Sequence, residues 1–566
     1  MQNENIFPDI RPISTVAKQI LSKRYFLKDE KTWDELVNRN INFIYDEKNE
    51  NREITKQMIL NRYFLPNSPS LANAGKLDAG LCACFVVDFN DTIDEIYKTK
   101  YEFALIARRG GGCGTSLSKL RPRGDDVRGS THGFAGGPVA FADTISRDMQ
   151  VITQGGLRSM AIMFTMSIYH PDIIQFITAK ENEDDKKIEN ANMSVVVDNV
   201  FMELVKENKK YWTIFNNKKY KEYNAKDIFY MIVEGAWRNG EPGILFQNRI
   251  NESPYKYTGQ EIFSVNPCAE EPLPPNGVCN LGSFDISKFI KKDKSFDFEK
   301  FEIAIRLSIY YLDKIIDKST YPTQTITEWA KNNRAIGAGI MGYADACLML
   351  EISYGSIEAI NFLGKVLNFM QKIAESESKI LGEKLGIPTE CKKLPEPRRN
   401  ITLLTIAPTG TTSLISGCSS GIEPIFSEIT IRNDKTGTYV FENNLHEKPY
   451  FKCAVSTTGE KEVTWEEHIK TLAEAQKYID SGVSKTINFP TSTHRDTIAK
   501  AFFMAWELDC KGLAVYRNGS RKVEVLSVKN IKKESCPLCG EEIIKIDGKM
   551  KCINPNCKFI LIIKEN

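Results

Sequence analysis

An α/β fold is predicted for this chain by two features of its 566 residues. Short apolar, β-rich runs (ACFVVDF, MSVVV, NITLLTI) alternate with longer stretches of helical periodicity (VFMELVKE, AFFMAWELDCKG), the pattern of strands joined by helical connections. A hydrophobic content of 42% over this length is enough for a large core and two or three domains. No internal repeat is visible.

Taken in chain order, residues 1–60 are charged and helix-friendly. KTWDELVNRNINFIY places its apolar residues three and four apart, and the region reads as a small helical lead-in. Strand and helix alternation begins at Asn61 and continues to Arg521, the predicted α/β core. Within it, the charged run at 179–190 (AKENEDDKKIEN) reads as a solvated loop or helix end. Residues 522–566 turn lysine-rich and form a separate tail. There Cys536, Cys539, Cys552 and Cys557 make two close pairs flanking Asp547-Gly548, a two-residue hairpin signal. A hairpin would bring the pairs together, and four thiolates suit tetrahedral zinc; a dithiol relay is the competing reading.

Composition excludes some functions. The 75 lysines and arginines against 73 acids leave a formal charge of +2, with no general pull toward nucleic acid or membrane. The N-terminus lacks a signal-peptide pattern, and no segment reaches the roughly 18 apolar residues of a membrane span. A cytoplasmic protein is expected, in which the 14 cysteines serve as thiols, metal ligands or catalytic groups rather than a disulfide framework.

Two stretches carry chemistry. In FSVNPCAEEPLPPNGVCNLGS, residues 263–283, Cys268 stands between Asn266 and Glu270, and a second thiol, Cys279, follows eleven residues on. A purely structural cysteine has no need of those neighbours. In RNITLLTIAPTGTTSLISG, an apolar strand runs into Pro408, Thr409, Gly410, Thr411, Thr412 and Ser413 and then a helix start. Backbone N–H groups, hydroxyls and the helix dipole could hold a phosphate there, although a structural cap uses the same residue types. The glycines of ARRGGGCGTS match neither the P-loop nor the dinucleotide fingerprint.

Taken together, PNSPSLANAG, ACFVVDFNDT, RRGGGCGTSLSKLRPRG, QGGLRSMA, NPCAE, CNLGS, IAPTGTTS, GCSSGIEP, SKTINFP and CKGLAVYRNGSR resemble the catalytic chain of the ribonucleotide reductases, in particular the adenosylcobalamin-dependent class. The resemblance runs from about Asn61 to Arg521. It implies a ten-stranded α/β barrel of two five-stranded halves with the bracketed cysteine on a central finger loop, preceded by the short helical region and followed by the small Cys-rich tail. It also implies conversion of ribonucleoside di- or triphosphates to 2′-deoxyribonucleotides, in which Cys268 becomes a thiyl radical that takes the 3′-hydrogen. Glu270 would accept the 3′-hydroxyl proton, Asn266 would hydrogen-bond the sugar, and Cys279 would pair with a cysteine of the ACF motif to supply two electrons. Cys84, immediately before Phe85, is preferred for that partner, with Cys82 the alternative.

The same resemblance implies substrate contacts from Ser68, Ala83, Cys84, Gly110, the segment Asn266, Pro267, Cys268, Ala269 and Glu270, and the diphosphate loop Pro408, Thr409, Gly410, Thr411 and Thr412. Asp91, Thr92 and Ile93 match positions that meet a dNTP effector, with Arg158 in the loop that carries its signal; for Asp91 and Arg158 the alternative is a plain surface charge. A homodimer and a thioredoxin or glutaredoxin-like reductant are expected partners. Ala269 stands where many relatives have glycine, the region before the barrel is short for a regulatory ATP-binding domain, and no cysteine follows Cys557. Tyr516 stands alone where reductases fed by a metal-containing partner subunit carry adjacent tyrosines, which favours cobalamin over that class I alternative. A zinc-dependent nucleic-acid-binding protein is disfavoured by the near-neutral charge. A glycyl-radical enzyme is disfavoured by the lack of a C-terminal glycine motif.

Overall fold

The computed structural model describes residues 6–9, 11–127, 133–154, 158–181, 188, 190–434, 437–443, 445–456 and 459–520, and beyond these the short segments 526–528, 534–535, 539, 542–546, 549–552 and 560–562. The lead-in forms three helices, α1 (Thr15–Arg24), α2 (Trp33–Ile44) and α3 (Arg52–Leu60). Thr32 and Glu35 close a capping box at the start of α2, satisfying backbone N–H groups that would otherwise lack partners. Then follow β1 (Phe64–Pro66), α4 (Ser68–Asn73), β2 (Cys84–Val86), α5 (Ile93–Arg108), β3 (Gly112–Ser116), the short pair β4 (Thr153–Gln154) and β5 (Arg158–Ser159), β6 (Ile162–Ser167) and β7 (Asn192–Val197). After the surface hairpin β8 (Lys210–Phe215) and β9 (Lys218–Asn224) come β10 (Gly243–Phe246), the small hairpin β11 (Ser264–Val265) and β12 (Pro272–Leu273), β13 (Val278–Asp285), β14 (Ile336–Met341), the pair β15 (Ile429–Asp434) and β16 (Gly437–Glu442), β17 (Thr486–Phe489) and β18 (Gly512–Arg517).

Ten of these strands form one mixed sheet in the order β1, β13, β2, β3, β6, β7, β10, β18, β17, with β14 also on β13. The sequence NITLLTI, predicted as a strand, is not a regular one. It makes only isolated parallel bridges, Leu404 to Ala338 on one side and Ile406 to Val483 on the other.

The sheet buries both faces, as parallel strands joined by helices must. Because side chains alternate across a strand, Phe85, Met193, Val195, Ile244 and Phe284 join the large helix-covered core. Cys84, Val86, Val196, Leu245, Cys279 and Leu281 join a second, smaller cluster on the opposite face, with Val265 and Leu273 of the small hairpin. That hairpin is therefore seated on the second face of the sheet. It fits because the sequence is small where it crosses: a Cβ on Gly114 of β3 would lie 1.7 Å from the Val265 carbonyl oxygen, and one on Gly482 would lie 2.6 Å from that of Ala269. The glycine-rich RRGGGCGTS motif thus gives the finger room.

In the tail, strands Glu542–Ile546 and Lys549–Cys552 pair antiparallel with Ile546 opposite Lys549; the predicted turn residues Asp547 and Gly548 lie outside the described residues. Among the described residues no helix is long and apolar enough to cross a membrane.

Candidate active site

The hairpin β11–β12 carries residues 266–271, Asn-Pro-Cys-Ala-Glu-Glu, at its tip. Asn266 closes the tip on itself. Its N–H donates to the Glu271 carbonyl at 3.0 Å, and its Oδ1 accepts from the Glu271 N–H at 2.9 Å. Ala269 takes the left-handed conformation, φ 62°, which glycine adopts without strain; this locates the effect of the alanine in the backbone rather than in side-chain size. Neighbours from several strands hold the tip. Asn192 Nδ2 donates to the Pro267 carbonyl at 2.8 Å, Thr405 Oγ1 to the Glu270 carbonyl at 2.8 Å, and the Gly482 N–H to the same oxygen at 2.7 Å.

The tip brings the bracketed cysteine and the two upstream and downstream thiols to one place. Cys84 and Cys279 sit directly opposite each other where β2 pairs antiparallel with β13. Asn266 Nδ2 donates to Cys84 Sγ at 3.1 Å, and the Cys84 thiol faces Glu270 Oε1 at 3.8 Å. Cys82 lies elsewhere. It precedes the strand, belongs to the helix-side core and points its sulfur at Ser319 Oγ, 3.9 Å away. Cys268 itself is exposed and opens onto a cavity of about 900 Å³.

Burial dominates the electrostatics. Desolvation pushes the Glu270 carboxyl up to about 7, against the opposing pull of hydrogen bonds from Asn266, its own backbone and Cys84; its Oε2 is buried with no hydrogen-bond partner among the described residues. Cys84 is raised well above the ordinary thiol range by burial and then by the neighbouring carboxylates of Glu270 and Glu271. Burial and Glu271 do the same to Cys279. Both thiols therefore stay protonated at neutral pH, and Glu270 is poised to exchange a proton.

The remaining predicted contacts are spread more widely. Pro267, Cys268, Ala269 and Pro408 line the cavity, together with Ser413, Lys485 and Tyr516. At the predicted phosphate loop, Thr409 is left-handed, φ 48°, and its hydroxyl accepts from the Gly421 N–H at 2.8 Å. A short helix, Thr412–Ser416, follows with Thr411 at its N-cap, and Gly410 lies between them. Ser68 opens α4 and shares a 2.7 Å hydrogen bond with Tyr25 Oη. The Ala83 carbonyl accepts from the Gly112 N–H at 2.8 Å, and Gly110, φ 82°, turns the chain from α5 toward β3.

At the predicted effector positions, Thr92 caps α5 by accepting from the Glu95 N–H, and Ile93 is exposed. Asp91 is partly exposed and paired: it accepts from Arg121 Nε at 2.8 Å and from the Arg121 N–H at 3.1 Å. Arg158 lies in β5; its side chain is outside the described residues. Of the predicted zinc ligands, Cys536 and Cys557 fall outside the described residues, Cys552 ends a strand, and Cys539 is exposed. Among the described residues no group of three metal-binding side chains occurs.

Sequence reasoning missed Asn192, Thr405 and Gly482, whose positions carry no local signal. It also passed over Glu271, which stands next to Glu270 in the quoted motif and is completely buried.

The family description "Ribonucleotide reductase, barrel domain" matches residues 82–393 and 392–516. The chain is 38% identical over 500 residues to a vitamin B12-dependent ribonucleoside-diphosphate reductase of Thermoplasma acidophilum, covering 82% of this chain and 65% of that protein. It is 32% identical over 598 residues to a protein of the same description from Mycobacterium tuberculosis, covering 97% of this chain and 83% of that one. The chain thus spans just under two thirds of the first relative's length and most of the second's. Among solved structures, the Actinobacillus ureae class Id ribonucleotide reductase alpha subunit superposes with a TM-score of 0.75 over 90% of this chain and 98% of that one, at 22% identity, a likeness of fold alone. On the extent of the family match and the identity to these relatives, the chain belongs to the ribonucleotide reductase family.

Proposed function

We propose that this protein reduces ribonucleotides to 2′-deoxyribonucleotides by thiyl-radical chemistry, with Cys84 and Cys279 as the electron donors. The observation that carries this reading is the register that sets Cys84 opposite Cys279 with Glu270 3.8 Å from the Cys84 sulfur, beside the exposed Cys268. Cys268, as the thiyl radical, removes the 3′-hydrogen and Glu270 takes the 3′-hydroxyl proton; the 2′-hydroxyl leaves as water. At the end Glu270 returns its proton to the 3′-oxygen and the Cys268 thiol returns its hydrogen to C3′, which regenerates the radical. Two electrons and two protons come from the thiols, which finish as a Cys84–Cys279 disulfide. The parallel bridges of residues 404 and 406 to β14 and to the segment entering β17 support closure of the sheet into a barrel around the finger. Such an enclosure keeps the radical from other hydrogen donors.

The cavity onto which Cys268 opens has room for a large organic group, and its wall includes Ser413, Ser419, Ser420, Lys485 and Tyr516. These residues fit the polar face of adenosylcobalamin, which supplies a radical next to the thiol when bound. The names of the relatives, vitamin B12-dependent reductases, support this cofactor over a radical-donating partner subunit. Turnover is expected only with added adenosylcobalamin; turnover that ignores it and needs a second protein overturns the assignment. On the same reading the predicted domains are a helical region at 1–60, the catalytic barrel at 61–521 and the tail at 522–566. A dNTP acts near Asp91, Thr92, Ile93 and Arg158, and zinc is held by Cys536, Cys539, Cys552 and Cys557.

A pH dependence follows from Glu270. Its carboxyl, raised to about 7, is protonated below that value and accepts no proton there. The radical-forming step held constant, kcat/KM should therefore rise with pH through about 7 and level off above it. In Glu270→Gln the residual rate should be lower and lack that rise. A wild-type profile flat from pH 6 to pH 8 would remove Glu270 from the role.

A further inference from the structure

We propose that Glu271 is the proton donor to Cys279 when the Cys84–Cys279 disulfide is opened by a dithiol. This rests on the assignment of that pair as the reductant and adds a residue and a step to it.

Glu271 is completely buried, and among the described residues neither carboxyl oxygen has a hydrogen-bond partner of normal geometry. Its main chain is held on both sides by Asn266. Its carboxyl lies against the β13–β14 wall: a Cβ on Gly337 would stand 2.8 Å from Glu271 Oε1 and 2.7 Å from Leu281 Cδ2. Leu281 is two residues beyond Cys279 on the same face of β13. The groups that act on this carboxyl are the Ser481 and Thr405 hydroxyls, the Cys279 thiol and Glu270. Glu271 in turn acts on Cys84, Tyr255 and the half-buried Lys511. A carboxylate left in such a place without a partner is costly. Burial, followed by the Glu270 charge, pushes Glu271 up to about 8, so at neutral pH it holds a proton. Glu270 thus faces Cys84 at 3.8 Å, and Glu271 lies beside Leu281 on the face of β13 that carries Cys279, where its carboxyl acts on the Cys279 thiol.

The step balances as follows. A thiolate of the dithiol attacks Cys84 Sγ; the Cys84–Cys279 bond breaks and its electron pair goes to Cys279 Sγ. Burial makes that thiolate unfavourable, and it takes the Glu271 proton. The second thiol of the dithiol then attacks its own partner sulfur in the mixed disulfide and releases Cys84, which takes that thiol's proton, and the dithiol leaves as a disulfide. Glu271 is reprotonated from solvent. A poor leaving group is the kind for which a positioned acid matters most.

The test uses the full chain oxidised with diamide, the Cys84–Cys279 link being identified by peptide mass spectrometry. Its reopening by dithiothreitol is followed by alkylation from pH 6 to pH 9, each rate divided by the thiolate concentration. Protonated Glu271 is present below about 8 and lost above it, so the wild-type normalised rate should fall about tenfold between pH 7 and pH 9. Glu270→Gln should keep a fall of the same kind, moved to lower pH because the Glu270 charge that helps raise Glu271 is gone. Glu271→Gln should lack it and start at about a tenth of the wild-type rate or lower at pH 7. A link that forms but reopens with a flat normalised rate in wild type, or equally fast in Glu271→Gln, overturns the role of Glu271 alone. Should Glu271→Gln not fold, the wild-type and Glu270→Gln profiles decide. If no Cys84–Cys279 link forms, the assignment of the pair fails and this proposal falls with it.

Discussion

Replacing Cys268 by alanine is expected to lower ribonucleotide reduction by more than about a thousandfold while leaving the protein folded. Cys268 sits at the exposed tip of the finger, and the tip's conformation is held by Asn266, Asn192, Thr405 and Gly482 through main-chain hydrogen bonds. None of these uses the Cys268 sulfur. The variant should therefore keep a cooperative thermal transition. Serine at this position should be equally inactive, because an O–H bond is stronger than an S–H bond and its hydrogen is not readily given up. Product formation is read by chromatography and folding by thermal denaturation of the same preparation. A variant retaining a tenth of wild-type turnover would show that the radical is carried elsewhere.

The second large effect concerns the pair behind it. Cys84→Ala and Cys279→Ala should each abolish multiple turnover driven by dithiothreitol, whereas Cys82→Ala should keep it. Residues directly opposite in an antiparallel pair have Cα atoms roughly 4.5–5.5 Å apart, within the range a disulfide spans. Cys84 and Cys279 hold that relation, so the bond can form by side-chain rotation. Cys82 is outside β2, and its sulfur is directed to Ser319. The measurement is product per enzyme over many turnovers, with thiol counting before and after. Sustained turnover in either pair variant, or its loss in Cys82→Ala alone, would assign the electrons to a different pair.

The α/β class was legible in the sequence because both of its signals are local: runs such as MSVVV bury on both faces wherever they are placed, and helices such as Asn199–Lys206 announce themselves by periodicity. The run NITLLTI shows the limit of that reasoning. Its composition predicts a strand, yet it bridges neighbours at only two residues, because pairing depends on what lies alongside. Likewise the glycine-rich RRGGGCGTS matches no ligand-binding fingerprint in the sequence. Its requirement for glycine comes from Val265, a carbonyl about 150 residues away in the chain.

By itself the sequence determined the bracket: which residue types stand beside Cys268, and that a second thiol follows within a short polar segment. These are covalent neighbours, and their chemistry travels with them. Only the tertiary structure separates Cys84 from Cys82 in space: β-strand parity and the register on β13 put Cys84 on the face with Cys279 and Glu270, while Cys82 joins the helix-side core. Only the tertiary structure, too, separated Glu270 from Glu271, adjacent in the chain. Folding turns one carboxyl toward Cys84 and buries the other against Gly337 and Leu281, and the loss of water around each is what raises both above the range of an exposed acid.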